Sequence, residues 1–163
     1  MVLLALACAN DPCPTGWTHD APRTAHLEAL LQRPISATLC WGDVPDRGLR
    51  DTRGRFLLDS ATDDRLLAAR IVHLEHHRAP ASGPGCEDRL RVEEANAWAA
   101  ELRQHGLLGV SDPSGPARRA LGESPTLSDL MEWLTTSDDP VPTQLRASHR
   151  ARCEGGSVPP EAR

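Results

Sequence analysis

The sequence predicts an α+β fold, in which a short two-stranded or larger sheet packs on three to four helices. Two observations support this class. Along the 163 residues, one helical pattern is followed by two β-prone segments and then by helical patterns alone, with no internal repeat. A hydrophobic fraction of 39% allows one small core, built mainly from Leu, Ala, Val and four Trp because the chain has a single Phe and no Tyr.

The first helix is predicted from Asp20 to Gln32. Asp20 can accept hydrogen bonds from the free N–H groups of the first turn, and Pro22 fits that turn because its missing N–H has no partner there. Pro34 then ends the helix. The apolar face of this helix is expected to consist of Leu27, Leu30 and Leu31.

Two strands are predicted next. Residues 35–41 alternate between polar and apolar side chains and include β-branched and aromatic types, which is typical of a strand. Residues 42–54 are rich in Gly, Asp and Arg and indicate a loop, and residues 55–59 indicate a short buried strand.

Three helices are predicted after the strands. The first begins at Ser60 or Thr62 and stops before Pro80, and the second covers about 86–104. The third covers 126–134, where a threonine with an aspartate three residues later indicates a capping box. Beyond residue 137 the chain is polar and rich in Pro and Gly.

We therefore divide the chain into three parts. Residues 1–16 are expected to be an export-signal remnant and tether, residues 17–136 a single globular domain, and residues 137–163 a polar, flexible tail. The charge of -5 is mild and mixed, and without a basic face the chain is not expected to bind nucleic acid. No apolar run is long enough to span a bilayer, so a membrane contact would require a lipid anchor.

The cysteines favour export. The run from Met1 to Cys8 resembles the end of a bacterial lipoprotein signal, which implies lipidation of Cys8, although the run is short and lacks a positive start. We expect a periplasmic or outer-membrane-anchored protein. Four cysteines remain, far apart in the sequence: Cys13, Cys40, Cys86 and Cys153. They could form two disulfides in any of three pairings, and the alternative is that they are free buried thiols.

A pair of histidines on the second predicted helix indicates a metal site. His73 and His77 are four residues apart and therefore lie one turn apart on the same face, the spacing with which one helix holds zinc. On the next helix, Glu94 and Glu101 share a face with apolar residues that should pack inward. A carboxylate in that position must be paired or bound to metal, and Glu94 is the predicted third ligand.

These elements together resemble the core of zincin metallopeptidases, in particular the branch whose third zinc ligand is a glutamate. The resemblance covers about 38–102: two strands, a helix with His-x-x-x-His, a turn, and a helix that offers Glu94. It implies Zn²⁺ as the cofactor, His73 and His77 as further ligands, and the 55–59 strand near the edge of the active site. The residue after the first histidine is Leu74, where the family has the glutamate that transfers protons.

The leading hypothesis is an exported envelope protein with a degenerate zincin-like domain that is non-catalytic or weakly active and binds a protein or peptide. One alternative is a divergent zinc hydrolase in which His76, Glu93 or Glu101 carries the proton. Another is a disulfide-stapled interaction module of a secretion or toxin system, with incidental histidines. In that case the buried carboxylates would pair with arginines, the candidates being Arg70, Arg78 and Arg91.

Overall fold

The computed structural model describes residues 12–44, 47–77 and 82–155. The lipidation predicted at Cys8 lies outside these residues and stays a prediction. The described residues form six helices and a three-stranded sheet, in the order α1 (Ala21–Leu31), β1 (Leu39–Gly42), β2 (Gly48–Arg50), β3 (Phe56–Asp59), α2 (Asp64–His76), α3 (Cys86–Leu108), α4 (Pro116–Leu121), α5 (Leu127–Thr136) and α6 (Pro140–Cys153). The predicted α+β class, with a sheet packed on helices, is confirmed.

The sheet is mixed, and β3 is its central strand. β1 runs parallel to β3, with Leu39 opposite Phe56, and β2 runs antiparallel to β3, with Leu49 opposite Leu57. The sequence predicted a loop over 42–54, and β2 lies within that range. β2 is only three residues long and contains Gly and Arg, so it is too short to show the alternating pattern by which a strand is recognised in sequence. The 55–59 segment is the central strand, and both β2 and β3 contact α2. Its place near the edge of an active site stays a prediction.

One hydrophobic cluster joins the sheet to α1 and α2. Leu27, Leu39, Phe56, Ile71 and Leu74 are among its members, and each is at most 2% exposed. Ion pairs along the rim fix α1 against α2: the Arg23 guanidinium lies 2.7 Å from the Asp64 carboxylate near the start of α2, and Arg33 pairs with Glu75 near its end. These contacts fix which side of α2 faces the sheet.

A second hydrophobic cluster lies on the other side of α3. It brings together α3, α4, α5 and α6 around Trp98, Leu130 and Trp133, whose two indole rings meet edge to face. Because α2 packs along α3, the hairpin of these two helices separates the two clusters. The polar site described below lies within this helix–helix interface.

The flexible tail predicted from residue 137 is wrong over most of the described segment, because residues Pro140–Cys153 form α6. Pro140 occupies the first helical turn, where proline is tolerated, and Val141 and Leu145 pack against the second cluster. The low hydrophobicity and the prolines of this segment predicted disorder, but these two apolar residues, the buried Pro142 and the disulfide of Cys153 dock the helix on the core.

Two disulfides are present, as expected, and the structure resolves the pairing that the sequence left open. Cys13 is bonded to Cys40, which ties the N-terminal segment to β1. Cys86 is bonded to Cys153, which ties the start of α3 to the end of α6, with the two Cα atoms 5.8 Å apart. Within the described residues, no helix combines the length and the apolar character that crossing a membrane requires.

Candidate metal centre

The structure brings the three predicted ligands together between α2 and α3. His73 and His77 lie one turn apart on α2, and Glu94 faces them from α3. One potential ligand atom from each residue lies within 4.8 Å of the other two. His73 and Glu94 are buried, with 1% and 4% of their surface exposed, while the side chain of His77 is 24% exposed. This group could hold a metal ion, and His77 is its most exposed member.

Both imidazoles turn the same ring nitrogen toward the carboxylate of Glu94. Nε2 of His73 lies 3.4 Å from Oε1, and Nε2 of His77 lies 3.6 Å from Oε2. The two rings meet edge to face with centroids 4.9 Å apart. The two distances end on different oxygens of the same carboxylate, and a zinc ion bound about 2 Å from each ligand atom would need the three side chains to draw closer together.

The other nitrogen of each ring is close to a second carboxylate. Nδ1 of His73 lies 2.9 Å from Oε2 of Glu101, although this oxygen is off the direction in which the nitrogen donates, so the contact is electrostatic rather than a well-aligned hydrogen bond. Nδ1 of His77 lies 3.4 Å from Oε1 of Glu93. A carboxylate behind each ligating histidine is the usual outer arrangement of a protein metal site, where it sets the ring orientation.

Arg70 and Trp98 complete the surroundings of His73. Arg70 donates to Glu101 over 3.4 Å and to the backbone carbonyl of Gly48 on β2 over 3.2–3.3 Å. The indole of Trp98 packs edge to face on His73, with ring centroids 4.9 Å apart. The predicted pairing of a carboxylate with Arg70 is therefore confirmed for Glu101.

Of the other two arginines proposed as partners for these carboxylates, Arg91 donates instead to Asp88 on its own helix, over 3.1 Å. Arg78 lies outside the described residues.

The charges of this cluster are strongly coupled. Burial raises the pKa of Glu94, but contact with His73 and the charge of His77 outweigh burial and hold the pKa of Glu94 well below its usual range. Burial likewise raises the pKa of Glu101, and His73 and Arg70 outweigh it, so that this pKa falls to about 2. Burial and Arg70 lower the pKa of His73, yet the two carboxylates prevail and the net shift is upward. Both glutamates are therefore anionic at neutral pH.

Two chemical states satisfy this arrangement. In one, a proton on His73 together with Arg70 balances the buried carboxylates. In the other, a divalent cation between His73, His77 and Glu94 replaces that proton, because a ligating imidazole must be neutral. The metal ion then supplies positive charge where Glu94 already concentrates negative charge.

Three neighbours on α2 do not face this group. Leu74 is 2% exposed and belongs to the cluster between the helix and the sheet. Glu75 pairs with Arg33 of α1 on the opposite side of the helix. Nδ1 of His76 lies 2.9 Å from the carbonyl oxygen of Val72 in the preceding turn.

Two buried histidines were not singled out from the sequence. His149 of α6 is 6% exposed, and His105 of α3 is 3% exposed, with both ring nitrogens buried and lacking a hydrogen-bond partner. For His105, the position one turn after Glu101 on the inward face of α3 was a usable signal. His149 had no such signal, because its segment was predicted to be a tail.

Comparison with known proteins gives no further guide. No family model, curated protein or solved structure matches this chain. The resemblance to zincins therefore stays a prediction from the sequence of about 38–102.

Proposed function

We propose that this chain is an exported zinc-binding protein whose metal site has a structural or binding role and little or no hydrolytic activity. The observation that carries the proposal is the convergence of His73, His77 and Glu94 within 4.8 Å, with a further carboxylate behind each histidine. The zincin-like core inferred from the sequence is part of this proposal.

Zinc is the metal that this ligand set favours. Two imidazoles and one carboxylate are borderline to hard donors, and zinc accepts both types in a small tetrahedral shell. Calcium and magnesium prefer six or more oxygen ligands or several waters, for which a site buried between two helices has little room. A ligand spacing set by consecutive turns of one helix also suits the short bonds of a transition metal.

The identity and burial of Leu74 argue against peptidase catalysis. In a zincin, the residue at this position is a carboxylate that takes a proton from zinc-bound water, whereas here an alkyl chain packs into the sheet core. Proton transfer by such a base typically accounts for a factor of 10²–10⁴ in rate.

None of the three residues named as substitutes on sequence grounds favours the hydrolase. Glu101 and Glu93 lie beside the Nδ1 atoms of the two histidines, whereas the Nε2 atoms face the metal position. His76 is held against its own helix by the carbonyl of Val72. A zinc-bound water would therefore lack a base in the position where zincins have one.

Export is proposed from the cysteines. Two disulfides are compatible with an oxidising compartment such as the periplasm, and they staple both ends of the domain. Anchoring through a lipid on Cys8, residence in a bacterial envelope, and a protein or peptide partner belong to the same proposal and depend on the sequence alone.

Metal content tests the site directly. We expect protein purified with zinc and then dialysed to retain one zinc per chain, and a His73→Ala/His77→Ala variant to retain none. His76→Ala is the matched control, because it removes the same side chain from the same turn of α2 without touching Glu94. Equal zinc retention by all three proteins, or by none, would refute the site.

An activity assay tests the second half of the proposal. We expect no chelator-sensitive cleavage of a mixed peptide library by the zinc-loaded protein. Cleavage that disappears both with chelator and in the His73→Ala/His77→Ala variant would establish the hydrolase alternative instead.

A further inference from the structure

His149 lies on the stretch of α6 that the Cys86–Cys153 disulfide fixes against α3. It precedes Cys153 by one helical turn and is 6% exposed. The disulfide joins the end of α6 to the start of α3, while Leu145 packs in the cluster formed around Trp98. The two helices therefore run antiparallel along this contact, and the level of His149 on α6 falls between the two anchored points.

Helix geometry places His149 and Glu94 at neighbouring levels of α6 and α3. On α6, His149 lies one turn before Cys153. On α3, Leu90 lies one turn after Cys86 and Glu94 lies two turns after it. Side chains lean toward the N-terminus of their own helix. The imidazole of His149 consequently leans toward the level of Glu94, and the carboxylate of Glu94 leans toward the level of His149.

The electrostatics of His149 agree with this placement. Burial lowers its pKa, the charge of Glu94 acts in the opposite direction, and the charges of Arg152 and His77 lower the pKa further. The charges of two of the three candidate ligands, Glu94 and His77, therefore act on His149. It lies outside the group whose ligand atoms are all within 4.8 Å of one another.

We propose that a metal bound by His73, His77 and Glu94 draws in the His149 ring as its fourth ligand, and that the Cys86–Cys153 disulfide holds α6 where this ring can reach the metal. This inference rests on the zinc site proposed above. A shell of three histidines and one glutamate leaves no position for a reactive water, which is the character of a structural site. Metal retention then depends on the oxidation state of one disulfide.

Cobalt substitution tests whether the fourth position is closed. Cobalt reports its coordination through visible absorption bands, and azide shifts those bands only when it can replace a bound water. We expect one Co²⁺ per wild-type chain, with a spectrum that azide does not change. In His149→Ala a water takes the vacated position, so azide should shift the bands and the affinity for Co²⁺ should fall about tenfold or more.

The disulfide is tested with paired variants, since thiol reductants bind metal themselves. In Cys86→Ser/Cys153→Ser, the first half of α6 stays packed through Leu145 while the turn carrying His149 loses its fixed end. We expect azide sensitivity to appear there as well. Cys13→Ser/Cys40→Ser is the matched control, because it removes the other disulfide, which joins the N-terminal segment to β1, and should leave the spectrum insensitive to azide.

The outcomes separate the two proposals. If wild-type protein does not bind Co²⁺, the zinc site itself fails. If it binds Co²⁺ and azide shifts the wild-type spectrum, the site stands and the closure by His149 is wrong. A His149→Ala spectrum that stays insensitive to azide also overturns the closure; should that variant fail to fold, His149→Asn, which keeps a polar side chain of intermediate size, decides the same question.

Discussion

The Glu101→Gln variant tests whether the cluster between α2 and α3 is a metal site or a set of ion pairs that only stabilises the fold. The Glu101 side chain is 3% exposed and contacts both Nδ1 of His73 and the guanidinium of Arg70. Glutamine keeps the volume, so no cavity forms, but it removes the charge that orients His73. Loss of such a partner behind a ligating histidine typically weakens metal binding 10–100-fold, equivalent to about 1.4–2.7 kcal/mol.

The same substitution also affects the metal-free fold. Arg70, whose side chain is 11% exposed, loses its anionic partner, while the Gly48 carbonyl and the new amide oxygen can still accept its hydrogen bonds. We expect the free energy of unfolding to fall by about 1–3 kcal/mol, because a buried charge becomes less well compensated. If the cluster serves stability alone, this loss occurs without any change in zinc affinity of the folded protein.

The assay therefore measures both quantities on the same preparations. Zinc affinity is obtained by competition with a chromophoric chelator at 25 °C, where every variant is folded, and stability is obtained from urea titration of the metal-free protein. Glu75→Gln is the matched control, since it removes a carboxylate from an arginine pair on the far side of α2. The reasoning is refuted if Glu101→Gln loses stability while its zinc affinity stays within about twofold of wild type.

Three further changes test other parts of the structure. Leu74→Glu restores the zincin residue but places an unpaired carboxylate in the sheet core, so urea titration should show a loss of about 3–5 kcal/mol, and a peptide assay should show no gain of activity. Burial raises the pKa of Asp112, but Arg47, whose guanidinium lies 2.5 Å away, and Ser114 outweigh it and lower that pKa. The Asp112 carboxylate therefore stabilises the fold fully above the unfolded pKa of about 3.9, and this stabilisation is lost as the pH falls through the pKa of Asp112 in the folded protein. Urea titrations across pH should show Asp112→Asn to be less stable than wild type at pH 7 and equally stable at the lowest pH. Cys86→Ser/Cys153→Ser opens a loop with a sequence separation of 67 and should cost about 4 kcal/mol in the same titration. A loss below about 1 kcal/mol would contradict this estimate from loop entropy.

Periodicity made the site predictable from sequence. The spacing of His73 and His77 fixed a shared face on one helix, and the apolar neighbours of Glu94 fixed its inward direction on the next. The prolines and glycines between the two segments indicated a turn, which brings consecutive helices together. Each of these inferences is local, or involves neighbours in sequence, and local rules are where sequence patterns are informative.

The two elements that the sequence did not predict, β2 and α6, depend on contacts between residues distant in the sequence. β2 exists because Gly48–Arg50 can hydrogen bond to β3, and α6 exists because Val141 and Leu145 reach a core assembled by α3 and α5. Neither segment carries enough pattern of its own to be recognised. The disulfide pairing is of the same kind, since three pairings are equivalent until the fold brings particular cysteines together.

Stability alone does not explain why this charged cluster lies between two helices. Large apolar clusters lie on both sides of the α2–α3 interface, and replacing a buried ion pair by well-packed hydrophobic residues is often neutral or stabilising. Leu and Ala at the positions of His73 and Glu94 would satisfy the same helix packing without the cost of burying charge. The cluster instead points two Nε2 atoms at one carboxylate and places a further carboxylate beside each ring, an arrangement that metal sites commonly have. The proposed zinc site would therefore account for the polar character of this interface.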